Sequence, residues 1–160
     1  MRIVSIPSGA NLTLLYRQLV GNYPKFFKMD TMCKLGFLLS EMLVKDDVGR
    51  FEPREDRAVL VFTREGCLVN DLNYAKSMED FPSPALFVYT LPNIVAGEIS
   101  IRNKYEGETS TYVLEKFDRP MIDSIVRQAF QDDITKDAIV AWIDCPDNDE
   151  WTALAWIETK

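Results

Sequence analysis

The sequence contains no histidine. Histidine is the side chain that most often acts as a general base near neutral pH and as a metal ligand, so catalytic Ser–His and Cys–His pairs are excluded. The three cysteines, Cys33, Cys67 and Cys145, are far apart and show no Cys-x-x-Cys spacing, which gives no support for a sequence-local metal or redox site. We expect them to be reduced, partly buried apolar residues. The sequence therefore predicts no catalytic residue, no metal site and no cofactor.

The chain has fewer positive than negative charges, and it has no long apolar run. Eighteen Lys and Arg residues stand against 25 Asp and Glu, so the net charge of −7 repels phosphate backbones and anionic lipid. No apolar run approaches the roughly 20 residues of a membrane helix, and the N-terminus lacks the pattern of a signal peptide. We expect a cytoplasmic protein of one 160-residue domain that binds neither nucleic acid nor membrane.

Apolar periodicity predicts helices alternating with strands. The clearest helices run from Thr31 to Val44, with Asp30 as N-cap, and from Asp118 to Gln131, with Pro120 in the first turn. In the second helix, Met121, Ile122, Ile125, Val126, Ala129 and Phe130 form the predicted buried stripe. Strands are predicted at residues 2–6, 58–63, 137–143 and 151–157, the last two as an antiparallel hairpin. This order predicts an α/β domain in which a mixed β-sheet is layered with α-helices.

Other polar and aromatic clusters have structural interpretations. The charged segment 45–57, which contains Pro53, is predicted to be a solvated loop. The acidic cluster at 144–150 lacks the spacing of a calcium loop and is predicted to be a solvated turn. Gly97 and Gly107 stand alone, so no phosphate-binding glycine loop is present.

Several short motifs in the middle of the chain resemble one known family. They are Ser83-Pro84, then Pro92-Asn93 followed by Ala96 and Gly97, then Gly107 and the strand-like Thr111-Tyr112-Val113. In this order they are similar to the stretch that precedes the nucleophile of β-ketoacyl synthases. Further segments follow the same family in order: Lys28-Met29-Asp30 with its helix, Ala58 to Thr63, and Asp137 to Asp144. The resemblance covers nearly all of residues 28 to 144.

The resemblance implies a thiolase-like half-domain, similar to the N-terminal half of a ketoacyl synthase but free-standing. It also changes one local prediction. Residues 98–102 alternate like a strand, yet the family has a helix here, and Asn93 after Pro92 can cap a helix that runs to Lys104. We therefore expect a helix over 93–104. The family-motif pocket would comprise Pro92, Asn93, Ala96, Gly97 and Gly107.

The chain departs from the family where the chemistry occurs. Counting nine residues on from Gly107 reaches Lys116, and counting 20 back from Asp137 reaches Phe117, so the family's nucleophilic Cys corresponds to Lys116 or Phe117. Ketoacyl synthases also use two histidines from their second half, and this chain has none. Glu108 follows Gly107 where the family usually has Pro. The resemblance thus implies a pseudoenzyme with a vestigial nucleophile position.

The strand before that position implies a partner. Active members of the family dimerise through this strand, which here is Thr109 to Leu114. Its β-favouring residues are Thr109, Thr111, Tyr112 and Val113. Alone, the strand would be an exposed sheet edge. We expect a homodimer, or a heterodimer with an active ketoacyl synthase, that assists fatty-acid or polyketide-type biosynthesis, with acyl carrier protein as a further candidate partner.

The sequence leaves two alternative functions open. The first is a small enzyme that uses the vestigial pocket through Lys116, Glu115, Asp118 or Tyr112, with the lysine activated by apolar surroundings. The second is an acyl-chain-binding protein, which needs a deep apolar cavity between the Asn93 helix and the Asp118 helix.

Overall fold

The computed structural model describes all 160 residues, which form one five-stranded sheet and six α-helices. The strands are β1 (Ile3–Ile6), β2 (Arg57–Thr63), β3 (Thr109–Val113), β4 (Asp137–Asp144) and β5 (Thr152–Thr159). The helices are α1 (Leu12–Leu19), α2 (Thr31–Val44), α3 (Leu68–Ser77), α4 (Pro84–Val88), α5 (Ile94–Asn103) and α6 (Arg119–Ala129), with a 3-10 turn at Pro24–Lys28.

The sheet is mixed, in the order β1-β5-β4-β2-β3. Strands β3, β2 and β4 are parallel to one another, whereas β5 is antiparallel to both of its neighbours, β4 and β1. The predicted α/β class, the mixed sheet and the terminal hairpin of β4 and β5 are therefore confirmed.

Helices cover both faces of the sheet. Every residue of β2 is buried, as the unbroken apolar run predicts for an interior strand. Alternate side chains point to opposite faces: Val59 and Val61 join the core under α2 and α5, while Leu60 and Phe62 join the core under α6. The sheet thus separates α5 from α6. This contradicts the acyl-chain-binding alternative, which required a cavity between the helix of Asn93 and the helix of Asp118.

The two strongest helix predictions are confirmed together with their caps. Asp30 accepts a hydrogen bond from the Cys33 amide at 2.9 Å and begins α2. Asp118 accepts one from the Met121 amide at 3.0 Å and begins α6, with Pro120 in its first turn. These bonds satisfy amide groups that a helix start otherwise leaves open.

Some local predictions are wrong. Met121 was expected in the buried stripe of α6 but is 51% exposed, and Ile125 is only half-buried, because the helix turns Ile122 and Val126 towards the sheet. The helix at 93–104 is present as α5, yet the Asn93 side chain makes no capping hydrogen bond. Helices α3 and α4 were not predicted.

The charged segment before β2 is also more ordered than a solvated loop. Arg57, at its end, is only 5% exposed and forms ion pairs with Asp47 and Asp137. Arg50 reaches back to the buried Glu41 of α2, with 2.6 Å between Nη2 and Oε1. Long-range carboxylate partners therefore fix the arginines of this segment.

No helix of the structure combines the length and the apolar character that are needed to cross a bilayer.

Candidate functional site

Strand β3, the predicted dimer strand, lies at one edge of the sheet. Its only neighbour is β2, in a parallel register that places Thr111 beside Val61. The Val59 amide donates to the Glu108 carbonyl at 2.8 Å, and the Leu114 amide donates to the Thr63 carbonyl at 2.9 Å. Because bonding alternates along a strand, the backbone groups of Thr109, Thr111 and Val113 point away from β2. This row of free donors and acceptors is what a further strand would pair with.

The side chains of β3 divide between the two faces. Tyr112 is half-buried and stacks on Phe62, with 5.1 Å between ring centroids, on the side covered by α6. Val113 is 64% exposed, and the Thr111 hydroxyl is buried without a hydrogen-bond partner. The strand is therefore anchored through Tyr112, while its outer edge is open.

The surroundings of this edge combine apolar side chains with acidic ends. Ile101 on α5, which packs against β3, is 64% exposed, and so is Val113 on the strand itself. Glu108 and Glu115 are exposed on either side of the strand, and the Ser110 hydroxyl donates to the Glu108 carboxylate at 2.7 Å. Exposed apolar groups favour association, whereas the two carboxylates restrict which partner can approach.

Lys116 and Phe117, the vestigial nucleophile position, lie between β3 and the start of α6. Lys116 is exposed and forms no ion pair. Phe117 is 42% exposed, and its ring contacts the Trp142 ring edge-on at 5.5 Å. Because Lys116 is exposed, it lacks the apolar enclosure that the small-enzyme alternative needs, and Asp118 serves as the cap of α6.

The structure does not bring the family-motif residues together with Lys116. Pro92 and Asn93 precede α5, and Ala96 is buried in the core under that helix, on the opposite face of the sheet from α6. Apart from its chain neighbours, a Cβ at Gly97 would meet no side chain, and no backbone from outside its own helix, within 4 Å. Gly107 lies at the amino end of β3, where its Cβ would meet the Arg57 carbonyl oxygen at 2.5 Å, and Lys116 follows the other end of the strand. A role for these residues in a pocket stays a prediction.

The three thiols are free and buried. Burial raises the pKa of Cys67 and of Cys145 to about 12 and raises that of Cys33 well above its usual value, with the nearby Asp30 carboxylate adding to each shift. A protonated thiol is a poor nucleophile and a poor metal ligand. No group of three acidic, cysteine or histidine side chains is placed to hold a metal ion.

Sequence reasoning missed a cavity at the carboxyl ends of β2 and β4, bounded by the start of α2 and by α3 and α4. Gly66 and Cys145, which line it, follow these two strands closely. A position just after a buried parallel strand was the signal that could have located it.

Comparisons with known proteins identify the fold. No family model and no curated protein matches the sequence. A structure of the ketosynthase ApeO in complex with its chain length factor ApeC, from Xenorhabdus doucetiae, is similar with a TM-score of 0.68 and 11% identity, over 100% of this chain and 77% of that chain. A structure of the ishigamide ketosynthase/chain length factor is similar with a TM-score of 0.74 and 14% identity, over 95% of this chain. This protein spans 48% of that second chain.

Sequence identities this low establish the fold and nothing more. The topology is consistent with these similarities: the sheet is mixed, it is layered with helices, and its strands β3, β2 and β4 are parallel. The chain has the thiolase-like α/β fold of ketosynthases and chain length factors.

Proposed function

We propose that this protein is a non-catalytic, ketosynthase-like accessory protein that pairs through β3 with a second chain of the same fold. The second chain is either another copy or an active ketosynthase, and the pair works in fatty-acid or polyketide-type biosynthesis. The free outer edge of β3 is the observation that carries this proposal.

The absence of nucleophilic chemistry supports the non-catalytic part. Lys116 and Phe117 occupy the position just before α6 where the family resemblance expects a cysteine, and the sequence has no histidine. The three cysteines that are present are buried with raised pKa values. None of them can replace the missing nucleophile at neutral pH.

The two structural neighbours support the proposal of a partner. Each is a structure of a ketosynthase together with a chain length factor. An accessory role beside a ketosynthase is therefore consistent with the fold, and the unpaired backbone groups of Thr109, Thr111 and Val113 supply a means of association.

The test is the effect of Thr111→Lys on association, measured by sedimentation or light scattering. In a two-fold pair of β3 strands, residues near the axis face their own copies, so the introduced lysines would repel each other and weaken the dimer. Ser5→Lys is the matched control, because Ser5 is an exposed hydroxyl residue on β1, the other edge strand. We expect loss of association with Thr111→Lys and none with Ser5→Lys.

Heterodimer formation has its own readout. If the protein alone is a monomer, it should recover a ketosynthase subunit from extract of its native cells, and Thr111→Lys should reduce the yield. A wild type that stays monomeric at high concentration and recovers no such subunit would contradict the proposal.

The non-catalytic part is tested with a malonyl thioester. We expect carbon dioxide release at the buffer rate. Release above that rate, abolished by heat denaturation of the protein, would show that the chain is catalytic.

A further inference from the structure

The cavity that sequence reasoning missed has a volume of about 290 Å³. It is lined by Gly66 and Cys67 after β2 and by Cys145 and Asn148 after β4. Because β2 and β4 are parallel, both sets lie at the same edge of the sheet. In open α/β sheets, ligands bind in crevices at this edge. None of the lining residues belongs to β3, so use of the cavity does not depend on the pairing proposed above.

The buried part of the cavity, here called its floor, is formed by methionine and cysteine side chains. Met29, Met32, Cys67 and Cys145 all line it and are each at most 4% exposed. The Cys67 sulfur lies 3.8 Å from the Met32 sulfur. Since both thiols are protonated, the floor carries no charge, and methionine side chains adapt to the shape of an apolar group.

Two acceptor groups of the wall are available to a ligand. Asn70 is 4% exposed, and its Nδ2 donates to the Leu86 carbonyl at 2.7 Å, which leaves its Oδ1 as an acceptor. The Asp30 carboxylate accepts hydrogen bonds from the Cys33 amide and the Cys33 side chain, and burial raises its pKa, so a cation beside it would be stabilising. Both residues line the cavity, so a ligand with a cationic N–H donor would satisfy them together.

Donors for an anion lie in the same wall. Helix α3 starts after Gly66, and its N-cap residue, Cys67, makes no side-chain capping bond, so no cap satisfies the first-turn amides, among them those of Val69 and Asn70, which line the cavity. Lys28 and Lys34 also line the cavity. A carboxylate would be bound by these amides and lysines.

We propose that the cavity binds a free amino acid with an apolar side chain, such as leucine or methionine. Its ammonium group pairs with Asn70 Oδ1 and Asp30, its carboxylate with the start of α3 and the lysines, and its side chain with Met29 and Met32. A simple carboxylate would leave Asn70 unpaired and face the Asp30 charge. A simple amine would leave the α3 amides open. At about 290 Å³ the cavity is at the lower limit of small-molecule sites, which suits a ligand of this size.

The experiment is calorimetric titration of the full chain with L-leucine and L-methionine, beside two truncated ligands, 4-methylpentanoate and 3-methylbutylamine. We expect saturable binding of L-leucine or L-methionine. Each truncated ligand should bind at least about tenfold more weakly than the amino acid, because it loses one set of charge-assisted hydrogen bonds. Ligand that binds the folded state should also raise the melting temperature.

The matched variants are Asp30→Asn and Lys116→Met. Asparagine keeps the cap of α2 but removes the charge, so Asp30→Asn should weaken binding about tenfold. Lys116 lies outside the cavity, so its variant should bind like the wild type. If Asp30→Asn does not fold, Lys34→Met reports on the carboxylate end of the same site.

Three results would overturn the proposal. The first is that none of the 20 amino acids binds at millimolar concentration. The second is equal affinity for leucine and 4-methylpentanoate. The third is an unchanged affinity for the amino acid in a folded Asp30→Asn or Lys34→Met variant.

Discussion

Arg57 and Asp137 stand opposite each other as the first residues of two neighbouring parallel strands, β2 and β4. The guanidinium Nε and Nη2 donate to the two carboxylate oxygens at 2.5 and 3.0 Å, and Nη1 donates to Asp47 at 2.5 Å. Burial opposes the charged form, but the hydrogen bonds to Asp137 and Asp47 outweigh it and raise the pKa of Arg57. The amino ends of the parallel strands are thus joined by a buried, bidentate ion pair.

Arg57→Met should lower the free energy of unfolding by about 3–5 kcal/mol, because it leaves Asp137 partly buried without its closest cation. Arg54 provides the control, since it also pairs with Asp137 but has a side chain 32% exposed. Arg54→Met should cost about 1 kcal/mol or less. Urea unfolding measures both variants, and equal losses would mean that burial of Arg57 has no energetic role.

Two glycines allow a paired test of backbone packing. A Cβ on Gly107 would lie 2.5 Å from the Arg57 carbonyl oxygen and 2.6 Å from that of Glu55. Apart from its chain neighbours, a Cβ on Gly97 in α5 would meet no side chain, and no backbone from outside its own helix, within 4 Å. Gly107→Ala should destabilise the protein by more than about 1 kcal/mol, since backbone atoms must move. Gly97→Ala should stabilise it by about 0.5–1 kcal/mol through helix propensity. Thermal or urea unfolding that moved both variants in the same direction would contradict this geometry.

Asp56 should affect stability in acid. Hydrogen bonds from Arg54 and then Lys136 lower its pKa from 3.8 to about 2. A depressed carboxyl pKa contributes stability above the unfolded-state value and loses it as the pH falls through the folded-state value. Asp56→Asn should therefore flatten the stability profile between about pH 4 and pH 2, with a small loss at pH 7 because the side chain is partly exposed. An unchanged acid profile would show that the two cations do not bind Asp56 in solution.

The thiols should resist alkylation in the folded protein. Burial raises the pKa of Cys67 and Cys145 to about 12, so few thiolates are present at pH 8. Iodoacetamide at that pH should label all three cysteines in urea and none in the native state, as read by mass spectrometry. Stability should also fall as the pH rises above about 9, since the unfolded chain loses these protons first. Rapid native labelling would place a thiol at the surface.

The sequence predicts best those elements whose stabilisation is local or periodic. Helix α2 has an apolar stripe and the Asp30 cap, and β2 is an unbroken apolar run, so both were recognisable. Helix α3 has neither signal: its only buried residue is Asn70, and Leu72 is 57% exposed. A helix that turns an amide inwards and a leucine outwards contradicts the pattern by which helices are recognised.

Residue spacing along the chain could not predict ion pairs between residues that are far apart in sequence. Asp137, the partner of Arg57, lies on another strand, so Arg57 reads as the last residue of a charged loop until the register of β2 and β4 is known. The site shows the same limit. The family motifs located β3, and the Asp118 cap with its apolar periodicity located the start of α6. The cavity, however, is assembled from Asp30, Asn70 and Cys145, which only the fold brings together.

Strand β1 is bonded only to β5, with Ile3 opposite Trp156, so the first strand of the chain pairs with the last. Val4 and Ile6 belong to the larger core, and the Trp151 indole donates to the Ile6 carbonyl at 3.1 Å. During translation these apolar side chains have no partner strand until residues 152–159 have left the ribosome. A nascent chain stalled before β5 therefore displays an unpaired apolar strand to chaperones and proteases.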